Sequence, residues 1–460
     1  MELDLSVFKT YDIRGIYPNQ INEELAYKVG RGYAQFLKNL LKKDTLQVVV
    51  GRDMRFSSPA LQKYLIEGLK KEGCVVYNLG LCTTPLVSFA VCTKKFDGGV
   101  MVSASHNPKE YNAFKIIKYP MLQLGLNNGL LDIERNVENM KDVKIPLLEN
   151  KKEDNILNIF ADYENHLYNI FKNNYSNLKV VVDYGNGVGS VSATPIYKKL
   201  EINTIDLYAN PDGEFPNHPA NPHELSNFKQ LQQQVKESQA DLGIFFDGDA
   251  DRAVFVDNEG EIINTDLLFC MLCNTELKNT DSINKYGNKV YYDLRFTKEI
   301  YHVIKSNGGD PYMMQVGNPF YKEKLSNNGG LMAAEFSGHI MYNQNYGIDD
   351  GLFATLKVLD ILSVSKDKIS NLIKKYKTKY NTPEINIEVK EDPEMLMNKI
   401  STSFADGESI NLDGVYIQYK NWWFSLRRSN TEPLLRLRIE ADTLELLEEK
   451  KEKILQLIQS

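Results

Sequence analysis

Short apolar runs alternate with longer segments of helical periodicity through most of this chain. The clearest apolar runs occupy residues 47–50, 179–182 and 243–246 and are bounded by glycine or acidic turns. This alternation is typical of βα units, whose strands form mostly parallel sheets covered by helices. Polar loops follow the three runs, and ligands bind at the carboxyl ends of strands in open α/β sheets. The pattern therefore predicts an α/β fold with its chemistry in these loops.

Changes in the pattern predict four domains. The alternation weakens between residues 119 and 155 and ends in a charged stretch, 149–154, that is typical of a linker. In the last part of the chain, residues 415–419 and 435–439 alternate as half-buried antiparallel strands do, and an amphipathic helix is predicted over 444–458. The predicted domains are 1–150, 151–255, 256–368 and 369–460.

Length and charge narrow the class of protein. The chain has 460 residues, enough for about three domains of roughly 150 residues each. Its formal net charge is −7, which leaves no basic excess for a polyanionic backbone, so we expect no nucleic-acid partner. No apolar run approaches the roughly 18 residues of a membrane span, and acids stand where a signal peptide carries lysines. We expect a cytoplasmic protein with no membrane contact.

The cysteines do not suggest a disulfide framework. There are five, an odd and small number for this length, which favours a reducing compartment. Cys270 and Cys273 form a CxxC pair, but they lie in an apolar stretch and no second pair accompanies them. Core packing is therefore a better interpretation than metal binding.

Two loops carry candidate chemistry in the first half of the chain. Ser105 follows an apolar run and could act as a nucleophile, although the same spacing also suits a helix cap or a turn, and the hydrolase elbow GxSxG is absent. Asp247, Asp249 and Asp251 offer hard oxygen ligands suited to Mg²⁺. Arg252 stands where an EF-hand needs glycine, so that motif is excluded, and a solvated turn is the alternative.

Two further loops lie in the second half. One contains Glu335, Ser337 and His339, and the other begins at Arg427. An arginine followed by hydroxyl and amide side chains offers several donors to phosphate oxygens. Each loop alone is also compatible with an exposed turn. The members of the last loop that could hold phosphate are Arg427, Ser429, Asn430 and Thr431.

Taken together and in this order, the four loops resemble the α-D-phosphohexomutase superfamily, most closely its phosphomannomutase/phosphoglucomutase group. Further stretches that resemble family landmarks lie at residues 11–15, 51–55, 83–85, 212–218 and 349–351. The resemblance implies three similar α/β domains with mixed sheets and a smaller C-terminal α+β domain around a central cleft. It also implies a phosphosugar substrate and a chain that acts as a monomer or homodimer.

The resemblance also implies roles for individual residues. Ser105 would carry a phosphoryl group, and with Asp247, Asp249 and Asp251 it would hold Mg²⁺. Arg14, His106, Lys115 and Arg252 would lie near the phosphoserine, with Lys115 or His339 as the group that moves the proton. Glu335 and Ser337 would contact sugar hydroxyls, and the Arg427 loop would hold the substrate's other phosphate. Phosphate would then pass between the 1- and 6-positions through glucose or mannose 1,6-bisphosphate, which would also serve as activator.

Some residues depart from the family pattern, and other functions are compatible with parts of it. Asn318 and Arg295 stand where the family has histidine and lysine, so sugar contacts are expected to differ. Phe336 favours a glucose or mannose substrate over glucosamine, yet phosphoglucosamine mutase remains an alternative. A haloacid-dehalogenase-type phosphatase would use Asp247 as nucleophile and leave three loops without a role. A non-catalytic phosphosugar-binding paralogue is the remaining alternative.

Overall fold

The computed structural model describes residues 4–140, 142–146, 155–389, 392–428 and 434–459. Its strands form four separate sheets that follow one another along the chain. The first three sheets are mixed and packed with helices, and the fourth is antiparallel, so the predicted fold class is confirmed. None of the helices in the described ranges has the length and hydrophobicity that a membrane span requires.

The first sheet has the strand order β3-β2-β4-β5-β1, with β6 paired to β5. Its strands are β1 (Ile13–Ile16), β2 (Gln47–Arg52), β3 (Val75–Leu81), β4 (Gly98–Val102), β5 (Tyr111–Lys118) and β6 (Leu122–Gln123). The helices of this part are α1 (Glu23–Leu41), α2 (Ser58–Lys71), α3 (Thr84–Lys94) and α4 (Leu130–Glu138). Strand β2 is parallel to β3 and β4, whereas β5 is antiparallel to both β4 and β1.

The second sheet has the order β8-β7-β9-β10-β11. Its strands are β7 (Lys179–Asp183), β8 (Asn203–Leu207), β9 (Leu242–Phe246), β10 (Ala253–Val256) and β11 (Ile262–Ile263). The helices are α5 (Phe160–Ile170), α6 (Gly189–Lys199) and α7 (Lys229–Ser238). Strand β7 is parallel to β8 and β9, and β10 is antiparallel to β9.

The third sheet has the order β13-β12-β14-β15-β16. Its strands are β12 (Lys289–Asp293), β13 (Asp310–Met314), β14 (Met332–Ala334), β15 (Ile340–Tyr342) and β16 (Ile348–Asp349). The helices are α8 (Thr265–Glu276), α9 (Thr280–Tyr286), α10 (Glu299–Ser306), α11 (Asn318–Asn328), α12 (Gly351–Val364) and α13 (Ile369–Lys374). Strand β12 is parallel to β13 and β14, and β15 is antiparallel to β14.

These three sheets repeat one topology. In each, a parallel strand (β4, β9 or β14) is joined by a loop to an antiparallel neighbour (β5, β10 or β15). The Ser105, Asp247 and Glu335 loops are these three connections. Three of the four candidate loops are therefore topologically equivalent, although their sequences are not alike.

The fourth sheet has the order β17-β22-β21-β20-β19, with β18 paired to β22. Its strands are β17 (Tyr380–Asn381), β18 (Ile385–Glu388), β19 (Glu408–Ile410), β20 (Val415–Gln418), β21 (Trp422–Arg428) and β22 (Leu434–Ala441). Helices α14 (Pro393–Ser403) and α15 (Leu444–Gln459) belong to this part. The predicted terminal helix over 444–458 therefore agrees with α15 to within one residue.

Some predicted domain boundaries do not coincide with the ends of the observed sheets. The boundary predicted at 255 lies inside β10, because the second sheet continues through a hairpin to Ile263. Residue 368 directly precedes α13, whose Ile369 and Ile373 belong to a core shared with helix α8. Helix α4 lies within the segment 119–155, where no helix was predicted. The charged stretch 149–154 is outside the described residues.

Hydrophobic cores connect the sheets to one another. One cluster includes residues from the first three domains, such as Phe89 on α3, Tyr163 on α5 and Phe353 on α12. Another joins Leu294 of the third domain to the stacked rings of Tyr416 and Trp423 in the fourth. Cys270 and Cys273 are fully buried in the first cluster, which agrees with the packing interpretation.

Candidate active site

Ser105 lies in the loop between β4 and β5. Its backbone is left-handed, with φ of 52°, a conformation that non-glycine residues adopt only when their surroundings hold it. The Ser105 N–H donates to Ser103 Oγ at 3.0 Å. Gly248 packs against the Ser105 carbonyl oxygen, where a Cβ would come within 2.4 Å. The backbone of the first loop is thus in direct contact with the second loop.

Arg55 binds the backbone of the Ser105 loop through hydrogen bonds. Its side chain is fully buried, and its Nε donates to Asp53 Oδ2 at 3.1 Å. Its two terminal nitrogens donate to four carbonyl oxygens of the loop: Ser105 at 2.9 Å, Asn107 at 2.6 Å, Pro108 at 2.6 Å and Tyr111 at 3.0 Å. A single guanidinium therefore donates hydrogen bonds to four backbone carbonyl oxygens in and next to the Ser105 loop.

We expect Arg55→Met to lower the free energy of unfolding by about 3–5 kcal/mol, because it removes the ion pair with buried Asp53 and the guanidinium's hydrogen bonds to four carbonyl oxygens. Urea unfolding of the purified variant measures this loss. Arg52→Met is the matched control: Arg52 is half-buried and donates to the Asp53 carbonyl at 3.1 Å, so a loss under about 1 kcal/mol is expected. Equal losses in both variants would contradict the role assigned to Arg55.

Three carboxylates face Ser105 from the loop between β9 and β10. The Ser105 hydroxyl donates to Asp247 Oδ2 at 2.6 Å. One oxygen each of Asp247, Asp249 and Asp251 lies within 4.8 Å of the others. Asp249 Oδ1 and Asp251 Oδ1 are buried and have no hydrogen-bond partner among the described residues. Buried carboxylate oxygens without donors fit a hard divalent cation, so this group is suited to Mg²⁺.

The electrostatics of the group also suit a cation. Burial raises the pKa of Asp247 to about 7. Arg252 opposes this rise by attracting the charged form, whereas repulsion from Asp251 and Asp249 adds to it. Three buried carboxylates this close resist full ionisation unless positive charge balances them. Lys115 and Arg252 supply part of that charge.

Lys115 comes from β5 and reaches across the domain boundary. Its Nζ lies 2.6 Å from Asp249 Oδ2 and 2.6 Å from Asp251 Oδ2, and Thr84 Oγ1 donates to the same Asp249 oxygen at 2.5 Å. Burial opposes the charged amine, but Asp249 and Asp251 together raise the pKa of Lys115. The two neighbouring carboxylates therefore favour the protonated form of Lys115.

Arg252 joins the carboxylate group to the serine. Its Nη2 donates to Ser105 Oγ at 2.8 Å and to Asp247 Oδ2 at 2.7 Å, and it also contacts His106 Nδ1. Burial, with Arg252 and His223 next to the ring, lowers the pKa of His106 well below its usual value. Arg14 contacts the side chain of Asn107 and lies 3.3 Å from the Ala104 carbonyl, so it holds the loop rather than the serine hydroxyl.

The Glu335 loop connects β14 to β15. Glu335 is 6% exposed and lies 3.5 Å from Nη2 of Arg295, which also pairs with Asp293 at 2.5 Å. Ser337 Oγ is buried and has no hydrogen-bond partner within the part of the chain that the structure describes. Phe336 is covered by Arg438, whose guanidinium carbon lies 4.0 Å from the ring centroid. Glu335 and Ser337 thus keep polar atoms available for a ligand's hydroxyl groups.

His339 ends the same loop and lies next to the carboxylate group. Its Nδ1 is 3.0 Å from Asp349 Oδ2 and 3.9 Å from Asp251 Oδ1. Asn318 Nδ2 donates to the same Asp349 oxygen at 2.8 Å, and Lys322 Nζ lies 2.7 Å from the other. Asp349 therefore orients the imidazole, and Lys322 balances the charge of Asp349.

The acid stability of the protein is expected to depend on Asp349. Burial opposes its ionisation, but Lys322 and the hydrogen bond from His339 lower the pKa of the carboxyl to about 2. Because the Asp349 carboxyl has a lower pKa in the folded protein than in the unfolded chain, it stabilises the folded state at pH values above its unfolded pKa. This contribution of about 2 kcal/mol is lost as the pH falls from 4 toward 2. Urea unfolding at pH 5, 4 and 3 measures the loss, and we expect a shallower decline in Asp349→Asn. Parallel declines in the two proteins would contradict this expectation.

Arg427 lies at the end of β21, and its side chain is 2% exposed. Its Nη2 donates to Glu384 Oε1 at 2.8 Å. Glu384 Oε1 is also 3.2 Å from Arg295 Nη1, and Oε2 is 3.7 Å from Arg436 Nη1. Burial opposes ionisation of this carboxyl, yet Arg295 and Arg427 lower its pKa to about 2. Ser429, Asn430 and Thr431 are outside the described residues.

A series of contacts of 3.9 Å or less connects the first three loops to Arg427 at the end of β21. It runs through Ser105 and Asp247 at 2.6 Å, Asp251 and His339 at 3.9 Å, and Glu335 and Arg295 at 3.5 Å. It continues through Glu384 to Arg427. The structure therefore brings together the described members of the predicted site: Arg14, Ser105, His106, Lys115, Asp247, Asp249, Asp251, Arg252, Arg295, Asn318, Glu335, Ser337, His339 and Arg427.

Several residues of this site had no role in the sequence prediction. Arg55, Thr84 and Asp349 lie in stretches that resemble family landmarks, but nothing local indicates what they contact. Lys322 and Glu384 carry no motif at all. Their partners, Asp349 and Arg427, are 27 and 43 positions away in sequence, so only the folded chain reveals the pairs.

Four domains that each contribute one loop to a common site define the α-D-phosphohexomutase class of proteins. Sequence models of the phosphoglucomutase/phosphomannomutase family match in order: alpha/beta/alpha domains I, II and III over residues 5–141, 161–260 and 265–380, and the C-terminal domain over 384–457. The chain belongs to this family, which confirms the resemblance found in the sequence.

Named relatives support the same assignment. A phosphomannomutase/phosphoglucomutase from Pseudomonas aeruginosa is 35% identical over 450 residues, covering 97% of this chain and 94% of its own. A phosphomannomutase from Methanocaldococcus jannaschii is 34% identical, covering 99% and 98%. The crystal structure of a family protein from Burkholderia thailandensis is 29% identical with a TM-score of 0.85, covering 99% and 98% of the two chains.

Proposed function

We propose that the protein is a phosphohexomutase that interconverts hexose 1-phosphate and hexose 6-phosphate, with glucose, mannose or both as the sugar. The observation that carries this proposal is that one series of contacts connects two separate sites. At one end, the Ser105 hydroxyl lies 2.6 Å from the buried carboxylate of Asp247. At the other end lies the buried Arg427. A mutase needs one site that stores a phosphoryl group and another that holds the phosphate already on the sugar.

Ser105 is the proposed store. Its phosphorylated form donates the phosphoryl group to a free sugar hydroxyl: the bond from phosphorus to Ser105 Oγ breaks, and a bond to the sugar oxygen forms. Arg252 donates to Ser105 Oγ and is positioned to stabilise the charge on both the phosphoryl group and the leaving oxygen. The product of this step is a 1,6-bisphosphate.

His339 is the proposed acceptor of the sugar hydroxyl's proton. Its hydrogen bond with Asp349 orients the ring and stabilises the imidazolium that forms. Lys115 is the weaker of the two candidates for this role because Asp249 and Asp251 keep it protonated. In the return step, the other phosphate of the bisphosphate moves to Ser105, and His339 returns the proton to the sugar oxygen.

Mg²⁺ is the proposed metal. Asp247, Asp249 and Asp251, with an oxygen on Ser105, would hold the ion, and its charge would stabilise the transferring phosphoryl group. Glucose 1,6-bisphosphate or mannose 1,6-bisphosphate is the proposed activator, because either can phosphorylate Ser105. Glu335 and Ser337 are proposed to contact sugar hydroxyls, with Asn318 and Arg295 nearby, and Arg427 to hold the second phosphate with Ser429, Asn430 and Thr431. The proposed location is the cytoplasm.

Phosphorus NMR tests the proposal directly. Purified protein with Mg²⁺ and trace bisphosphate is given glucose 1-phosphate, mannose 1-phosphate or N-acetylglucosamine 1-phosphate in separate samples. We expect the 6-phosphate signal with glucose or mannose. Turnover of the amino sugar alone would favour the glucosamine alternative, and no turnover of any sugar would favour a binding protein without activity.

A further inference from the structure

Three guanidinium groups converge where the third and fourth domains meet. The register of β21 and β22 places Arg427 directly opposite Arg436. Arg295 reaches the same place from the loop that follows β12. Like charges that face each other across neighbouring strands repel, so an anion between them stabilises this arrangement.

Glu384 provides one carboxylate for these arginines. It lies between β17 and β18, and its two oxygens are 2.8 Å from Arg427 Nη2, 3.2 Å from Arg295 Nη1 and 3.7 Å from Arg436 Nη1. Arg295 has a second partner in Asp293 at 2.5 Å. The Glu384 side chain is 20% exposed, whereas that of Arg427 is 2% exposed. The carboxylate is therefore freer to move toward solvent than the guanidinium is.

We propose that Glu384 is a displaceable counter-ion of Arg427, which competes with the substrate's non-transferring phosphate for that guanidinium and so sets the affinity of this site for phosphate. The inference rests on the proposed function, in which Arg427 holds that phosphate. Nothing in the sequence motifs indicates such a competitor, because Glu384 lies 43 residues before Arg427.

This exchange of partners has a consequence for both binding and release. A phosphate group carries a charge of about −1.5 to −2 and three acceptor oxygens, more than a carboxylate offers, so a phosphorylated sugar displaces Glu384 and an uncharged sugar does not. The bisphosphate must also leave Arg427 when it turns over in the cleft. A buried arginine without a partner is costly, and the return of Glu384 to Arg427 lowers that cost.

Inorganic phosphate is the probe for the test. Glu384→Gln keeps the size and an acceptor oxygen but removes the charge, and Glu388→Gln on the exposed side of β18 is the matched control. Isothermal titration calorimetry at fixed pH and ionic strength measures the dissociation constant for phosphate. We expect about tenfold tighter binding to Glu384→Gln and a change below about twofold in Glu388→Gln.

Turnover kinetics give a second readout. Glu384→Gln is expected to lower both KM and kcat by about tenfold, because the phosphate binds more tightly and is released more slowly. A residue that only shapes the arginine cluster would raise KM when replaced. If Glu384→Gln does not fold, Glu384→Asp withdraws the carboxylate from Arg427 while keeping the charge, and about threefold tighter phosphate binding is expected.

Unchanged or weaker phosphate binding in Glu384→Gln would overturn the inference. Arg427→Met distinguishes this result from failure of the proposed function. If Arg427→Met loses phosphate binding while Glu384→Gln gains none, only the competition is wrong. If phosphate binding does not depend on Arg427, the proposed phosphate site itself is wrong, and the inference fails with it.

Discussion

Replacement of Ser105 by alanine is expected to lower the interconversion of hexose 1- and 6-phosphates by at least about 10⁴-fold, the scale on which enzymes lose activity when a nucleophile is removed. The reason is geometric. Ser105 Oγ is the hydroxyl that both Asp247 and Arg252 contact, at 2.6 Å and 2.8 Å. A coupled assay for the 6-phosphate measures the rate, and phosphorus NMR of the protein measures loss of the phosphoserine signal.

Ser103→Ala is the matched control for this prediction. Ser103 lies in the same loop and is buried, but its hydroxyl accepts from the Ser105 N–H rather than facing the carboxylates. A loss of about tenfold is expected, because the change affects only the position of the loop. Retention of near-normal turnover in Ser105→Ala would mean that another group carries the phosphoryl group. Asp247→Asn would then test the phosphatase-type nucleophile.

Removal of divalent cations is expected to have the second-largest effect, a loss of turnover on the order of 10³-fold that Mg²⁺ restores. Without a cation, three buried carboxylates face the transferring phosphoryl group, and Lys115 and Arg252 balance only part of their charge. Chelation with EDTA followed by titration with Mg²⁺ measures this effect. Binding itself is measured by the rise of Tm with Mg²⁺ concentration, which is independent of turnover.

Asp249→Asn is the informative variant for the metal. One of its oxygens contacts Lys115 and Thr84, and the other is buried with no partner in the described ranges, so the substitution removes a carboxylate ligand. We expect it to need at least about 100-fold more Mg²⁺ for half-maximal turnover and to lose the Tm shift. Glu259→Gln removes an equal charge from an exposed position in the same domain and is expected to behave as wild type. Equal Mg²⁺ dependence in the two variants would place the ion elsewhere.

Local information in the chain accounts for much of the fold. The apolar runs at 47–50, 179–182 and 243–246 are strands β2, β7 and β9, because a strand buried on both faces needs little more than a short apolar segment. The predicted boundary at 255 falls inside β10, which pairs with β9 and β11 in the second sheet, because a change in local pattern does not report strand pairing.

The candidate reactive groups of the proposed site also come from the sequence. Ser105, Asp247, Glu335 and Arg427 stand in motifs whose order along the chain indicates the family. The equivalence of three of their loops could not be predicted, since it depends on strand order rather than on residue identity. Whether Lys115 or His339 takes the proton likewise depends on their neighbours: two carboxylates contact Lys115, whereas Asp349 orients His339.

The sequence by itself therefore determined the α/β class, the family and the residues proposed to perform the chemistry, because these are encoded in short segments. The tertiary structure decided how those residues are held and balanced. Arg55 under the Ser105 loop, Lys322 beside Asp349, and Glu384 among the arginines all act through partners far away in sequence. Their charges are buried, and the protonation and stability of a buried charge depend on the groups that surround it in the folded chain. No local sequence pattern specifies those groups.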